Sequence, residues 1–214
     1  MLTVNCSLLI ALIGMPGAGK TTLGRRLAAH FACPFLDLDA AIEARAGRAI
    51  PAIFEQQGEA YFRQLEADTL RAVVARPGPL VLATGGGTPC FHDNLAVLQG
   101  AGLTLWLDVP LPVLAARLRA TGLASRPLLA AATPAAPAAV PTPPAPANAP
   151  TDAPADVTAH PPADALAAWL RETLAARRRF YALARLRLPS PTLAAALALL
   201  AAAGYEAEPP ALSG

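Results

Sequence analysis

At 214 residues with a formal net charge of +2, the chain is sized for one ordinary domain with a substantial core rather than two. No Lys/Arg-rich run is interleaved with aromatics, so nothing in the composition points to a nucleic-acid partner. The three cysteines, Cys6, Cys33 and Cys90, lack CxxC or metal-ligand spacing, and their odd number argues against a full disulfide framework; a reducing cytosol is the expected setting.

The apolar run Leu8 to Ile13 reads as a buried strand, since no basic residue precedes it as a signal peptide would require. It runs directly into Gly14-Met-Pro-Gly-Ala-Gly-Lys-Thr21, a complete G-x-x-x-x-G-K-[ST] loop, and a helix is expected from about Thr21 to Phe31. Glycines 14, 17 and 19 let successive backbone N–H groups turn inward on phosphate oxygens, with the helix N-terminus adding its positive end. Gly17, Ala18, Gly19 and Thr22 belong to this cradle; Lys20 would reach the β/γ-phosphates and Thr21 would offer its hydroxyl to Mg²⁺. A ligand-free glycine turn is the plain alternative, and the strand before and helix after the loop weigh against it.

A second buried strand is expected over Phe35-Leu-Asp-Leu-Asp39, followed by a helix capped by Asp39 and stopped at Gly47. Pro51 lies near the start of a further helix, and a longer one runs from Glu59 to Ala75. Leu80 to Ala83 reads as a third strand entering Thr84-Gly-Gly-Gly-Thr88, and Leu103 to Asp108 as a fourth. Alternating strands and helices predict an α/β fold, a parallel sheet with right-handed crossovers and helices on both faces.

From Ala130 to Ala163 the composition changes: nearly half of the chain's 23 prolines fall here, among alanine and threonine, with Asp152 and Asp156 the charged residues. Such a segment has no periodic apolar face to offset its ordering entropy, so it is expected to be a disordered, partly polyproline-II insertion in a single domain spanning 1–214. Each doubling of loop length costs only about 0.6 kcal/mol, so the fold tolerates it. After it come a helix over Asp164–Ala184, a fifth strand over Arg185–Leu188 and a closing segment from Pro191 to Gly204. The apolar run Leu193–Ala203 is too short to cross a bilayer and is expected to pack as a helix.

Several polar residues stand out against this scaffold. Asp37 and Asp39, two apart at the carboxyl end of a strand, are expected on the same side, where α/β sheets bind ligands. Beside a bound nucleotide one acid supports the metal's shell, while the other accepts a hydrogen bond or a proton from an attacking hydroxyl. On the helix from Glu59, the apolar stripe Phe62, Leu65, Thr69, Leu70 and Val73 carries Glu66 in its middle, and Arg63 one turn back is placed to pair with it or to reach a ligand. An ordinary surface salt bridge is the alternative there. Gly85, Gly86 and Gly87 let the backbone approach a ligand, and Arg177 falls on the apolar face of its helix, where a charge needs an anion, whether a ligand or a buried acid. Arg117, Arg119 and Arg126 flank a loop after the fourth strand's helix, from which arginines can close over transferring phosphate.

Taken together, the phosphate loop, Asp37-Leu-Asp39, Ile50-Pro-Ala-Ile-Phe54 with Gly58-Glu59 and Phe62-Arg63-Gln-Leu-Glu66, Ala83-Thr-Gly-Gly-Gly87, Arg126-Pro-Leu-Leu129, and Arg177 four before Tyr181 resemble shikimate kinase, a small P-loop metabolite kinase. The resemblance implies a three-layer, adenylate-kinase-like P-loop kinase fold: a five-stranded parallel sheet flanked by helices, plus a lid. It implies transfer of a phosphoryl group from ATP, with Mg²⁺, to the 3-hydroxyl of shikimate on the way to aromatic amino acids, by a cytoplasmic monomer with no nucleic-acid or membrane partner. Lys20, Asp39 and Arg126 would be catalytic, with Thr21 and Asp37 serving the metal, the latter through its shell. Asp39, Arg63, Gly85, Gly86, Gly87 and Arg177 would hold shikimate and Phe54 and Phe62 would wall its ring. Arg126 would be the lid arginine, and Arg119 or Arg117 would stack on adenine. The Pro/Ala insertion is far longer than this family usually carries. A kinase for another small hydroxylated metabolite such as gluconate, and a non-catalytic nucleotide-binding module, are the rival readings.

Overall fold

A computed structural model describes residues 9–121 and 163–205. The expected Pro/Ala insertion at 130–163 and the lid arginine Arg126 therefore lie outside the described residues, apart from the backbone of Ala163, which opens a helix.

Five strands, β1 (Leu9–Ile13), β2 (Phe35–Asp37), β3 (Leu80–Ala83), β4 (Gly102–Leu107) and β5 (Leu186–Leu188), form one sheet in the order β2-β3-β1-β4-β5. Every pairing is parallel. All five residues of β1 are buried, as a central strand covered on both faces must be, which is why it reads as an unbroken apolar run. Its neighbours are in register through Leu9↔Leu80 and Leu9↔Gly102.

Between strands run α1 (Lys20–His30), α2 (Leu38–Ala46), α3 (Ile50–Val74), a 3₁₀ turn at Thr88–Cys90, α4 (Asn94–Ala101) and α5 (Leu111–Ala120), followed by α6 (Ala163–Tyr181) and α7 (Leu193–Ala202). The helices flank the sheet: α1 packs on β1, β2 and β3 and touches α7, α4 packs on β4, and α3 packs on α2 and α4. Leu12, Leu27, Leu70, Leu82, Leu98 and Leu105, all fully buried, tie these layers into one apolar core.

Three boundaries differ from the sequence reading for local reasons. The second strand ends at Asp37, not Asp39, because Asp37 turns the chain: it keeps extended backbone, and its carboxylate accepts from the Asp39 N–H at 3.2 Å. The helix cap is thus Asp37, while Asp39 sits in the helix's first turn. Helix α3 carries both expected helices, with non-helical backbone at Gly58 marking the join. Helix α6 stops at Tyr181, and tight turns in which the N–H groups of Leu183 and Ala184 donate to Phe180 and Tyr181 carry the chain into β5. No described helix is long and apolar enough to cross a membrane.

Candidate active site

The carboxyl ends of β1, β2 and β3 open into one cavity of about 870 Å³. This is where an open parallel sheet presents its loops to a ligand, on either side of the strand at which the winding reverses.

On one wall lies the loop after β1. Gly14, Gly17 and Gly19 all have positive φ, at 138°, 80° and 92°, a backbone region that side-chain-bearing residues avoid. Gly19 then caps α1, so the helix N-terminus faces the cavity lined by Gly17, Ala18, Gly19 and Lys20. Lys20 reaches back over the loop and donates from Nζ to the carbonyls of Gly14 and Met15 at 2.9 and 3.0 Å. Thr21 and Thr22 line the same wall, and the Thr21 hydroxyl donates to Asp37 Oδ2 at 2.8 Å. One Asp37 oxygen therefore holds the phosphate-loop threonine while the other caps α2.

The opposite wall is assembled from side chains. Arg63 is 4% exposed and Glu66 1%, and their ion pair is 2.9 Å long. The Glu66 carboxylate also accepts from the Thr88 hydroxyl at 2.6 Å, so both of its oxygens are engaged. Glu59, on the solvent side, accepts from Arg63 Nε at 3.1 Å and Nη2 at 3.0 Å. The surface salt bridge that the helix pattern allowed is thus a buried one, a geometry that fixes a guanidinium rather than leaving it to sample rotamers.

The three glycines after β3 fit between these groups with no room to spare. A methyl on Gly85 would sit 3.0 Å from Asp39 Oδ1, one on Gly86 2.9 Å from Pro16, and one on Gly87 3.0 Å from both terminal nitrogens of Arg63. Asp39, Arg63 and Arg177 all converge on this strip and line the cavity, as do Gly85, Gly86 and Gly87 themselves. Arg177 is half-buried, and no ion pair holds it among the described residues. The buried acid that was the alternative to a ligand is therefore not found among them.

Tyr181, one helical turn on, donates its hydroxyl to the Gly86 carbonyl at 2.5 Å. Burial pushes its ionisation far above the ordinary phenol range, so this latch stays protonated at every physiological pH. Burial likewise pushes the Cys90 thiol up, against the opposing pull of Arg177 and Arg63.

Phe62 lines the cavity, but Phe54 does not; it stands behind, its ring 4.5 Å from that of Phe62. Of the two candidate adenine-side arginines, Arg117 lines the cavity and donates to the carbonyls of Gly17 and Ala18 at 3.3 and 3.2 Å, whereas Arg119 is exposed and off the cavity wall. The two lie two residues apart on α5, about 200° round the helix, so when one of them faces the cavity the other faces away.

The sequence reading passed over four contributors: Thr88, Phe91, Tyr181 as a latch, and Trp169, which lines the cavity from α6. Thr88 and Phe91 sit in irregular backbone with no periodicity to flag them. In the sequence Trp169 marks only an apolar position on the helix face that carries Arg177, and Tyr181 is both such a position and the residue four after Arg177 in the family motif.

The shikimate kinase family model matches residues 16–139, more than half of the chain. Shikimate kinase from Nitrobacter winogradskyi is 47% identical over 127 residues, 59% of this chain and 58% of the relative, and that from Bradyrhizobium diazoefficiens 45% identical over 125 residues, 58% and 59%. The aligned part thus spans about three fifths of the length of these curated relatives. Among solved structures, shikimate kinase from Bacteroides thetaiotaomicron superposes with a TM-score of 0.72 at 30% identity, covering 92% of this chain and 98% of that one. Shikimate kinase from Acinetobacter baumannii, solved in complex with shikimate, gives 0.69 at 30% identity over 92% and 93%. A gluconokinase from Sinorhizobium meliloti shares the fold alone, at 15% identity and a TM-score of 0.52. A family model that starts in the phosphate loop, joined to solved relatives covered almost from end to end, places this chain in the shikimate kinase family.

Proposed function

We propose that this protein transfers the γ-phosphoryl group of ATP to the 3-hydroxyl of shikimate, giving shikimate 3-phosphate and ADP. The observation that carries the reading is a single cavity holding a phosphate loop on one wall and two cavity-facing arginines with an aspartate on the other. Relatives named shikimate kinase, and one solved with shikimate bound, support the choice of acceptor.

Phosphoryl transfer is mainly positioning and charge neutralisation. The loop N–H groups and Lys20 hold the nucleotide's phosphates and draw off charge from the transferring group. Arg63 and Arg177 take the acceptor's carboxylate, the chemistry for which paired guanidinium donors suit best. Phe62 supports the ring, with Phe54 backing it, and Asp39, lying against Gly85, accepts the hydrogen bond of the attacking hydroxyl and receives its proton as the O–P bond forms.

The Thr21 hydroxyl and Asp37 carboxylate are hard oxygen donors 2.8 Å apart at the loop's exit, a set that fits Mg²⁺ held by Thr21 directly and by Asp37 through its water shell. When bound, the ion supplies neutralisation of the phosphate oxygens. Arg126 is proposed to close over the phosphates, with 130–163 an insertion between it and α6 in a single, monomeric, cytoplasmic domain.

A coupled ADP-release assay with shikimate, gluconate, a nucleoside monophosphate and no acceptor tests the reading. Turnover is expected with shikimate alone; equal ADP release without any acceptor would defeat it.

A further inference from the structure

Arg63 is held on more sides than an ion pair requires. A guanidinium has five N–H donors. Glu66 takes one on Nη1, and Glu59 takes those of Nε and Nη2, which leaves one on each terminal nitrogen. No described residue accepts these two, and the two nitrogens that carry them pass 3.0 Å from the point where Gly87 would carry a methyl. The plane of the guanidinium, and hence the aim of that remaining pair, is set by what lies on its faces.

Phe91 lies on one of them. Its ring centroid is 3.9 Å from Arg63 Cζ, van der Waals contact for a cation stacked on a ring, whereas Phe62 is more distant at 5.1 Å. The chain is shaped to put the ring there. Phe91 is the extended residue that ends the 3₁₀ turn, and His92 follows with φ at 50°, a left-handed conformation that histidine, asparagine and aspartate adopt more readily than other side-chain-bearing residues. Asn94, wholly buried, then staples the loop: its backbone N–H donates to the Phe91 carbonyl at 3.3 Å and its side-chain amide to the Thr88 carbonyl at 3.1 Å. Two hydrogen bonds, a left-handed residue and a buried asparagine are more than a surface loop needs.

We infer that Phe91 is a positioning residue for acceptor binding: stacked on the Arg63 guanidinium, it fixes the plane in which the two remaining N–H groups meet the acceptor's carboxylate. The guanidinium is itself rigid and planar, so its plane turns as a unit about the Cδ–Nε bond; Glu59 and Glu66 restrain it at its edges, and a ring pressed on the face opposes that tilt directly. The stack also shields the cation from water and adds no negative charge to the two that Glu59 and Glu66 already place against it. Phe91 itself does not line the cavity and touches no acceptor, so its effect passes through Arg63.

The inference rests on the shikimate reading, and the test separates the two. Trp169 lines the cavity, so its fluorescence reports acceptor binding without turnover. Wild-type protein, Phe91→Leu, Phe91→Met and Phe91→Tyr are titrated with shikimate, with shikimate methyl ester and with ATP. Phe91→Leu and Phe91→Met are expected to weaken shikimate about fivefold, in the range known for stacked cations, with ester and ATP affinity within about twofold of wild type. Phe91→Tyr, which keeps the ring, should bind shikimate as wild type does. Equal weakening for shikimate and its ester would show that Phe91 shapes the pocket without acting through the charge, and would overturn the inference, as would unchanged shikimate affinity in either ring-free variant. If Phe91→Leu fails to fold, Phe91→Met and Phe91→Tyr decide. Failure of the wild type to bind shikimate at all would instead overturn the acceptor reading, and the role of Phe91 with it.

Discussion

The donor wall of the cleft is largely backbone: Lys20 lies on the carbonyls of Gly14 and Met15, and Gly17 and Gly19, both at positive φ, line the cavity where α1 begins. The acceptor wall is made of side chains: Arg63, Glu66 and Thr88 form a buried relay, and Asp39 and Arg177 reach the glycine strip from helices far apart in the chain. A wall built largely of backbone tolerates side-chain change outside the few side chains that reach into it: Lys20, Thr21 with its partner Asp37, and Arg117. Where the acceptor wall is built of buried charges, at Arg63 and Glu66, removing either one strands the other.

Glu66→Ala probes that difference hardest. It leaves Arg63 with Glu59 alone and the Thr88 hydroxyl without its acceptor, both in the interior. Breaking a buried pair from one side costs about 3–5 kcal/mol, and the lower end is expected because Glu59 persists. Urea denaturation should show the loss directly. A midpoint within error of wild type would mean that the relay contributes no more than a surface pair.

Lys20→Ala should do the opposite, leaving stability nearly intact while removing a donor aimed at developing charge. A kcat loss on the order of 10²–10³ is expected, with shikimate affinity by fluorescence unchanged. If acceptor binding fell in parallel, the two walls would not be separable.

How far each wall was legible follows from the same contrast. Eight consecutive residues specify the phosphate loop because its ligand is gripped by local backbone, so local sequence is enough. The strands were equally plain, since a buried parallel strand such as β1 is an unbroken apolar run. Arg177 is legible as a charge on an apolar helix face, and Arg63 as the partner within reach of Glu66, which sits in the middle of such a face. Thr88 and Phe91 were not, since their partners, Glu66 and Arg63, lie more than twenty residues away and the turn between has no period to read. Asp37 and Asp39 were located but given the wrong division of labour over capping, because an alternation of period two continues the strand on paper past the point where Asp37 turns it into a helix. Phe54 is put beside the ring by the family resemblance alone, and the structure sets it behind Phe62.

Arg177→Ala sharpens the comparison from within the acceptor wall. Unlike Arg63 it is half-buried and has no ion-pair partner among the described residues, so its removal strands no charge. A charge-assisted contact is worth about 1.5–3 kcal/mol, so the KM for shikimate should rise about tenfold or more while the urea midpoint moves little. An equal rise in the KM for ATP would place Arg177 on the nucleotide instead.

The smallest effect is expected at the outer edge of the donor wall, where Arg117 holds the carbonyls of Gly17 and Ala18 with an exposed guanidinium. An exposed arginine contact is weak, so Arg117→Ala should raise the KM for ATP only about two- to fivefold and leave shikimate untouched. Arg119→Ala, two residues along the same helix and off the cavity wall, should change neither. Initial-rate kinetics on the two variants decide between the arginines. A larger ATP defect in Arg119→Ala than in Arg117→Ala would mean that α5 presents its other edge when the nucleotide is bound, and that the donor wall, for all its backbone construction, owes part of its grip to a helix that rotates.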